Sequence, residues 1–141
     1  MTSVEYRHIG FKSAISEDAL QQQIVRWFDI VFPEAERKRL HHSPNGGSRN
    51  QLEAIKFKRM GVRAGFPDLW LSLGDGRTGY IELKVGKNDL TEHQKEYRDL
   101  LLRDGNKWAL CRSLDEFITT LREWGIYKGG KNEGNNTMAM G

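Results

Sequence analysis

Gly65-Phe66-Pro67-Asp68-Leu69-Trp70-Leu71-Ser72-Leu73, a glycine-rich stretch, and then Tyr80-Ile81-Glu82-Leu83-Lys84-Val85 form the segment whose reading decides the fold. Asp68 to Leu73 alternates, with Leu69, Leu71 and Leu73 on one side and Asp68, Trp70 and Ser72 on the other. Tyr80 to Val85 alternates again, with Ile81, Leu83 and Val85 opposed to Tyr80, Glu82 and Lys84. A period of two over these lengths predicts two strands, with Gly74-Asp75-Gly76-Arg77-Thr78-Gly79 as the hairpin loop between them. Each strand buries an aliphatic face. The faces left over carry Asp68 on one strand and Glu82 and Lys84 on the other.

Helical spacing surrounds this hairpin. Upstream, Ser16 is a good N-cap for a helix ending before Pro33, with Leu20, Ile24, Trp27, Phe28 and Val31 on one stripe. Glu17, three residues before Leu20, extends that stripe. Arg37 to His42 reads as a short strand closed by the turn Ser43-Pro44-Asn45-Gly46-Gly47. A second helix is predicted from Ser48 to Met60, with Leu52, Ile55 and Met60 inward and Gly61 as its C-terminal cap. Downstream, Thr91 and Gln94 stand at capping-box spacing and open a helix that turns Tyr97, Leu100 and Leu101 inward and stops at Gly105. A strand from Lys107 to Arg112 precedes a last helix. Ser113 and Glu116 open it, and it buries Leu114, Phe117, Ile118, Leu121 and Trp124. Helix, strand, helix, strand, strand, helix, strand, helix predicts one α/β domain with a mixed sheet, spanning 1–127. The Gly- and Asn-rich stretch 128–141 is expected to be a disordered tail.

At 141 residues, with 38% apolar and 29% charged residues, the composition suits one soluble domain. A polar start and the lack of a long apolar run argue against a signal peptide or a membrane span. The single cysteine, Cys111, lies in an apolar run and is expected to be buried, which points to a reducing, intracellular setting. The net charge of +3 hides an asymmetry. From Glu36 to Arg63 the chain carries Arg37, Lys38, Arg39, Arg49, Lys56, Lys58, Arg59 and Arg63 against only Glu36 and Glu53, whereas acids outnumber bases elsewhere. Such a concentration suits a polyanion such as DNA or RNA, and equally a solvated basic helix face.

The polar faces of the two central strands bear the chemistry. A hairpin brings Asp68 near Glu82, and two adjacent carboxylates repel unless a cation lies between them. Hard oxygen donors favour Mg²⁺, and the Leu83 carbonyl, between Glu82 and Lys84, offers a further oxygen. A lysine beside a metal can lower the pKa of attacking water or steady charge on a pentavalent phosphorus. These parts suffice for phosphodiester hydrolysis. Taken singly, Glu-x-Lys in a strand is usually a surface ion pair and Pro-Asp usually a turn.

Gly65-Phe66-Pro67-Asp68 followed by Ile81-Glu82-Leu83-Lys84 resembles the PD-(D/E)xK nuclease signature. Glu17 with Leu20 and Gln21, His42-Ser43-Pro44-Asn45-Gly46-Gly47, Lys58-Arg59-Met60-Gly61-Val62 and Gln94 narrow the resemblance to the VRR-NUC family, over roughly Ser16 to Glu123. The likeness is to its small stand-alone members, typically encoded by phages or prophages, and so at work in the cytoplasm of a bacterial host. It implies a restriction-endonuclease-like core and a Mg²⁺-dependent DNA endonuclease, with Mn²⁺ as a possible substitute. It further implies a homodimer similar to Holliday junction resolvases. Carried over, Asp68 and Glu82 would bind metal, Lys84 would be the catalytic lysine, Glu17 the helix-borne acid and Gln94 the glutamine facing the site.

The outer residues have competing explanations. Glu17 also fits a first-turn acid facing the helix dipole. Gln94 already serves a capping box. His42 and Asn45 also fit plain turn chemistry. Arg49, Lys56, Lys58, Arg59 and Arg63 are expected to hold phosphates rather than read bases. The overall expectation is a metal-dependent, structure-selective DNA endonuclease acting on branched or four-way-junction DNA. A nicking nuclease without junction preference, or an inactive nucleic-acid-binding module of the same fold, are the alternatives.

Overall fold

The computed structural model describes residues 15–44 and 50–129. Its elements are α1 (Glu17–Val31), a 3₁₀ helix (Glu34–Arg39), β1 (Leu40–His42), α2 (Gln51–Arg59), β2 (Leu69–Gly74), β3 (Arg77–Leu83), α3 (Glu92–Arg103), β4 (Lys107–Cys111) and α4 (Leu114–Glu123). The four strands form one mixed sheet in the order β1-β2-β3-β4, flanked by helices, so the fold is α/β as expected. β1 pairs with β2, and β2 with β3, antiparallel. Among the described residues no helix is long and apolar enough to cross a membrane.

The described residues gather into two compact units. The first takes its described residues from 15–37, Leu83–Asn88 and 111–129. In it the Ser16 hydroxyl caps α1 by accepting from the Ala19 amide at 3.1 Å. Leu20, Ile24 and Phe28 of α1 are fully buried, as are Phe117 and Leu121 of α4, the helix that α1 contacts. Phe28 stacks on Phe32 at 4.1 Å, and Trp27 meets Phe32, Phe117 and Tyr127 edge-on, which makes an aromatic core. Leu114, Ile118 and Trp124, expected to be buried with Phe117, are only half-buried, because the inward stripe of α4 passes through Thr120 instead. Ser113 caps α4, but Glu116 accepts from the Arg112 amide at 2.7 Å, so the reciprocal box expected there does not form.

Cys111 is buried, and its Sγ lies 3.6 Å from the Thr120 hydroxyl. Burial pushes the thiol up to about 11, against a smaller lowering by that hydrogen bond. Lys128 and Gly129, assigned to the tail on sequence, are described, and Arg122 donates to the Gly129 carbonyl at 2.6 Å. Residues 130–141 lie outside the described residues.

The second unit takes its described residues from 38–44, 50–82 and Asp89–Leu110. On β2, Leu69, Leu71 and Leu73 are at most 1% exposed while Trp70 and Ser72 are open to solvent, so the predicted alternation holds. The hairpin is tighter than expected. Only Asp75 and Gly76 form the turn, with φ of 55° and 74°, and Arg77, Thr78 and Gly79 belong to β3. Positive φ at both central residues is what a two-residue hairpin needs to match strand twist, and Asp-Gly supplies it. β3 ends at Leu83 rather than Val85.

Three further expectations need correction. Arg37 to Arg39 are not strand but the end of the 3₁₀ helix, which Glu36 opens by donating to the Pro33 carbonyl at 2.8 Å. The second helix starts at Gln51, capped by Asn50, and its residues Leu52, Ile55 and Met60 point outward at 79%, 45% and 69% exposure. Half-buried Phe57 is its inward residue. Periodicity finds an apolar stripe without saying whether anything covers it. Leu100 of α3 is likewise exposed, leaving Leu101 and half-buried Tyr97 to pack. Gly61, at φ 102°, follows the C-cap of α2 as expected.

Gly65 holds two parts of this unit together. Its φ is 86°, and a Cβ there would overlap the His93 carbonyl and come within 2.8 Å of the Gln94 amide nitrogen. Only glycine lets the chain before Asp68 lie against the first turn of α3. Gly65→Ala is expected to cost on the order of 2 kcal/mol or more, read as a lower melting temperature, since strain and overlap add. Cys111, a buried neutral thiol, is expected to resist a thiol-labelling reagent at neutral pH in the folded chain and to react once the chain is denatured.

Candidate active site

Pro67 is buried and delivers Asp68 to the start of β2. The Asp68 carbonyl accepts from the Ser43 amide at 3.1 Å and, with the proton on Nδ1, from the His42 ring at 2.9 Å. Two bonds from the end of β1 therefore fix the backbone from which this carboxylate projects. The β2–β3 register pairs Leu69 with Ile81. Continued by one residue, it sets Asp68 across from Glu82 on the face opposite the leucines.

Glu82 is 2% exposed, a costly position for a carboxylate. Gln94 Nε2 donates to its Oε2 at 2.9 Å. The same glutamine completes the capping box of α3. Its Oε1 accepts from the Thr91 amide at 2.9 Å, and its own amide donates to the Thr91 hydroxyl at 3.2 Å. Capping and a place facing the site stood as alternatives in the sequence; Gln94 caps α3 and also contacts Glu82, because its two amide atoms point in different directions.

Among the described residues no three His, Cys, Asp or Glu side chains group to hold a metal ion. The donors at this place are the two carboxylates and backbone carbonyls. Such a set fits Mg²⁺, which takes one or two carboxylates and keeps several waters, better than an ion needing a closed protein cage.

The remaining predicted residues fall in several places. His42, Asp68, Glu82 and Gln94 come together in the second unit, and exposed Lys56, Lys58, Arg59 and Arg63 lie at and beyond the end of α2 in that unit. Lys56, Lys58 and Arg59 occupy the last turn of α2, where cations are favoured by the helix dipole. Glu17 is half-buried in the first turn of α1, Leu83 closes β3 and Lys84 follows it; all three belong to the first unit. Lys84 is 8% exposed, and its amide donates to the Cys111 carbonyl at 3.3 Å. Burial to that degree separates it from an ordinary surface lysine. Asn45 and Arg49 lie outside the described residues.

Two supports were not read from the sequence. The His42 bond to the Asp68 carbonyl links strands 26 residues apart, and no local pattern signals it. Arg112 donates to the carbonyls of Gly86 and Asn88 at 3.0 and 2.7 Å, clamping the loop that follows Lys84. The turn residues Gly86-Lys87-Asn88 mark that loop, but nothing marks the arginine that holds it.

No protein-family model matches the chain, and no curated protein matches it. A solved structure described as a VRR_NUC domain protein does, at 30% identity and a TM-score of 0.66. The match covers 79% of this chain and 88% of that one. Identity at this level along nearly the whole of the matched structure, together with a shared backbone fold, places the chain by descent as well as by shape: it belongs to the VRR-NUC family and has its nuclease-type fold.

Proposed function

We propose that this chain is a divalent-metal-dependent DNA endonuclease, selective for branched DNA and acting as a homodimer. The observation that carries the reading is Glu82, buried to 2%, held by Gln94 and set by the strand register across from Asp68. A binding module has no use for a buried acid facing a second acid, since both repel phosphate. Asp68 and Glu82, with the Leu83 carbonyl, would hold Mg²⁺, or Mn²⁺ in its place. Such an ion, when bound, polarises a phosphate oxygen and makes water more acidic.

The chain's own groups then have distinct tasks. Gln94 fixes the rotamer of Glu82 and leaves its charge intact. Lys84, two residues further along, offers a positive charge for the phosphate as its oxygens gain charge. Glu17 is the candidate further acid. Lys56, Lys58, Arg59 and Arg63, with His42, Asn45 and Arg49, are assigned to backbone phosphates, which makes binding sensitive to salt rather than to sequence. The reaction forms one bond from water oxygen to phosphorus and breaks one phosphorus–oxygen ester bond. A homodimer supplies two such sites about a twofold axis, as symmetric incision of a four-way junction requires.

Labelled four-way junction, flap, linear duplex and supercoiled plasmid, incubated in Mg²⁺, Mn²⁺ or EDTA, test this. Cutting is expected only with the divalent ion and most strongly on the junction. Asp68→Ala and Lys84→Ala should each lower it about 100-fold or more with DNA binding retained. Cutting that survives both substitutions, or that proceeds in EDTA, would refute the site. Sedimentation is expected to show a dimer, and a monomer throughout would remove the paired-incision mode.

Gln94→Glu separates the two jobs of that residue. The substitution keeps an oxygen for the Thr91 amide but replaces the donor to Glu82 with a like charge. Activity or metal affinity is expected to fall about 10- to 100-fold, and the melting temperature to fall as well in metal-free buffer, because the new carboxylate faces a buried one. Wild-type activity in this variant would show that the contact with Glu82 is incidental.

A further inference from the structure

The face of the sheet that carries Asp68 and Glu82 continues, one pleat further along, into a row of rings. His41, Trp70 and Tyr80 are cross-strand neighbours on β1, β2 and β3. Trp70 and Tyr80 lie nearly parallel, 7° apart with centroids at 6.4 Å, and His41 meets Trp70 edge-on at 5.6 Å. The row is about 7 Å from the acids, since two residues of strand separate them. Part of it is covered, because Tyr80 packs edge-on against Phe66, which in turn packs edge-on against Tyr97 of α3. Trp70 is not covered. It is 40% exposed, while the leucines on either side of it in sequence are fully buried.

An indole held rigid from both sides and left open to water gains little by being there for the core alone. Beyond it on the same strand, Arg39 Nη1 donates to the Ser72 carbonyl at 3.2 Å, which places a positive charge one further pleat from the acids. Acids, ring and guanidinium thus succeed one another along β2. That order suits a nucleotide strand, with a phosphate at the acids, a base on the ring and a phosphate further along the strand near the arginine.

Resting on the proposed nuclease reading, we propose that Trp70, braced by Tyr80 and His41, is a stacking platform for an unpaired base of the nucleic-acid substrate next to the phosphate to be cut. A base within a continuous duplex has both faces occupied by its neighbours. The platform therefore selects DNA with an unpaired or splayed nucleotide, as at a branch point or flap, without reading its sequence.

Fluorescence anisotropy of the chain in EDTA, with a labelled single-stranded oligothymidylate and a labelled blunt linear duplex in which every base is paired, tests the platform apart from any chemistry. Trp70→Ala is expected to weaken binding of the single strand about tenfold and to leave binding of the duplex unchanged. Trp70→Phe should restore most of the loss, and Trp70→Leu, apolar but without a ring, should not. Equal restoration by Phe and Leu would overturn the proposal in favour of simple packing. So would single-strand binding unaffected in Trp70→Ala, or a loss equal for both probes. Absence of cutting by the wild type in Mg²⁺ or Mn²⁺ is a separate result that would overturn the nuclease reading and not the stacking.

Discussion

The register between β2 and β3 is the constraint on which the rest depends. Leu69, Leu71, Ile81 and Leu83 need burial, and that need decides which way every intervening residue points. A slip of one residue would turn Asp68, Glu82 and Trp70 into the core and the leucines into water. The two-residue turn at Asp75 and Gly76, and the backbone bonds that Arg77 makes to Leu73 and Gly74, resist such a slip. Hydrophobic burial on one face thereby supplies the positional precision that two opposed carboxylates need on the other.

Around that hairpin the chain uses backbone carbonyls as anchors for polar side chains. His42 holds Asp68, Arg39 holds Ser72 and Arg112 holds the loop after Lys84. Each bond joins segments distant in sequence without consuming a carboxylate oxygen. Gly65 does the same by the opposite means, since the lack of a side chain lets the approach to Asp68 lie directly on α3.

Much of this was legible because it is local. Alternation in Asp68–Leu73 and Tyr80–Val85 predicted the strands and the side on which Asp68 and Glu82 stand. Ser16, Thr91 and Ser113 announced three helix starts through capping chemistry. The failures have a common physical cause. Leu52, Ile55 and Met60 form a sound helical stripe, yet burial depends on a neighbour that periodicity cannot name. Arg37 to Arg39 followed a proline whose carbonyl was free to start a 3₁₀ turn, which local β-propensity does not reveal. Trp70 looked like any residue on a strand's polar side; its bracing by His41 and Tyr80 is a cross-strand property that appears only once three strands are in register.

Gln94 ties a helix end to a buried charge, and thermodynamic linkage works in both directions. Any ligand that holds Glu82 in its present rotamer must, by the same free energy, favour the closed first turn of α3. Fraying of that turn must correspondingly weaken the ligand's hold. The slow opening of a few backbone amides at Thr91 to Gln94, followed by hydrogen exchange, would therefore report occupancy of a carboxylate on a different element, 12 residues away in the chain.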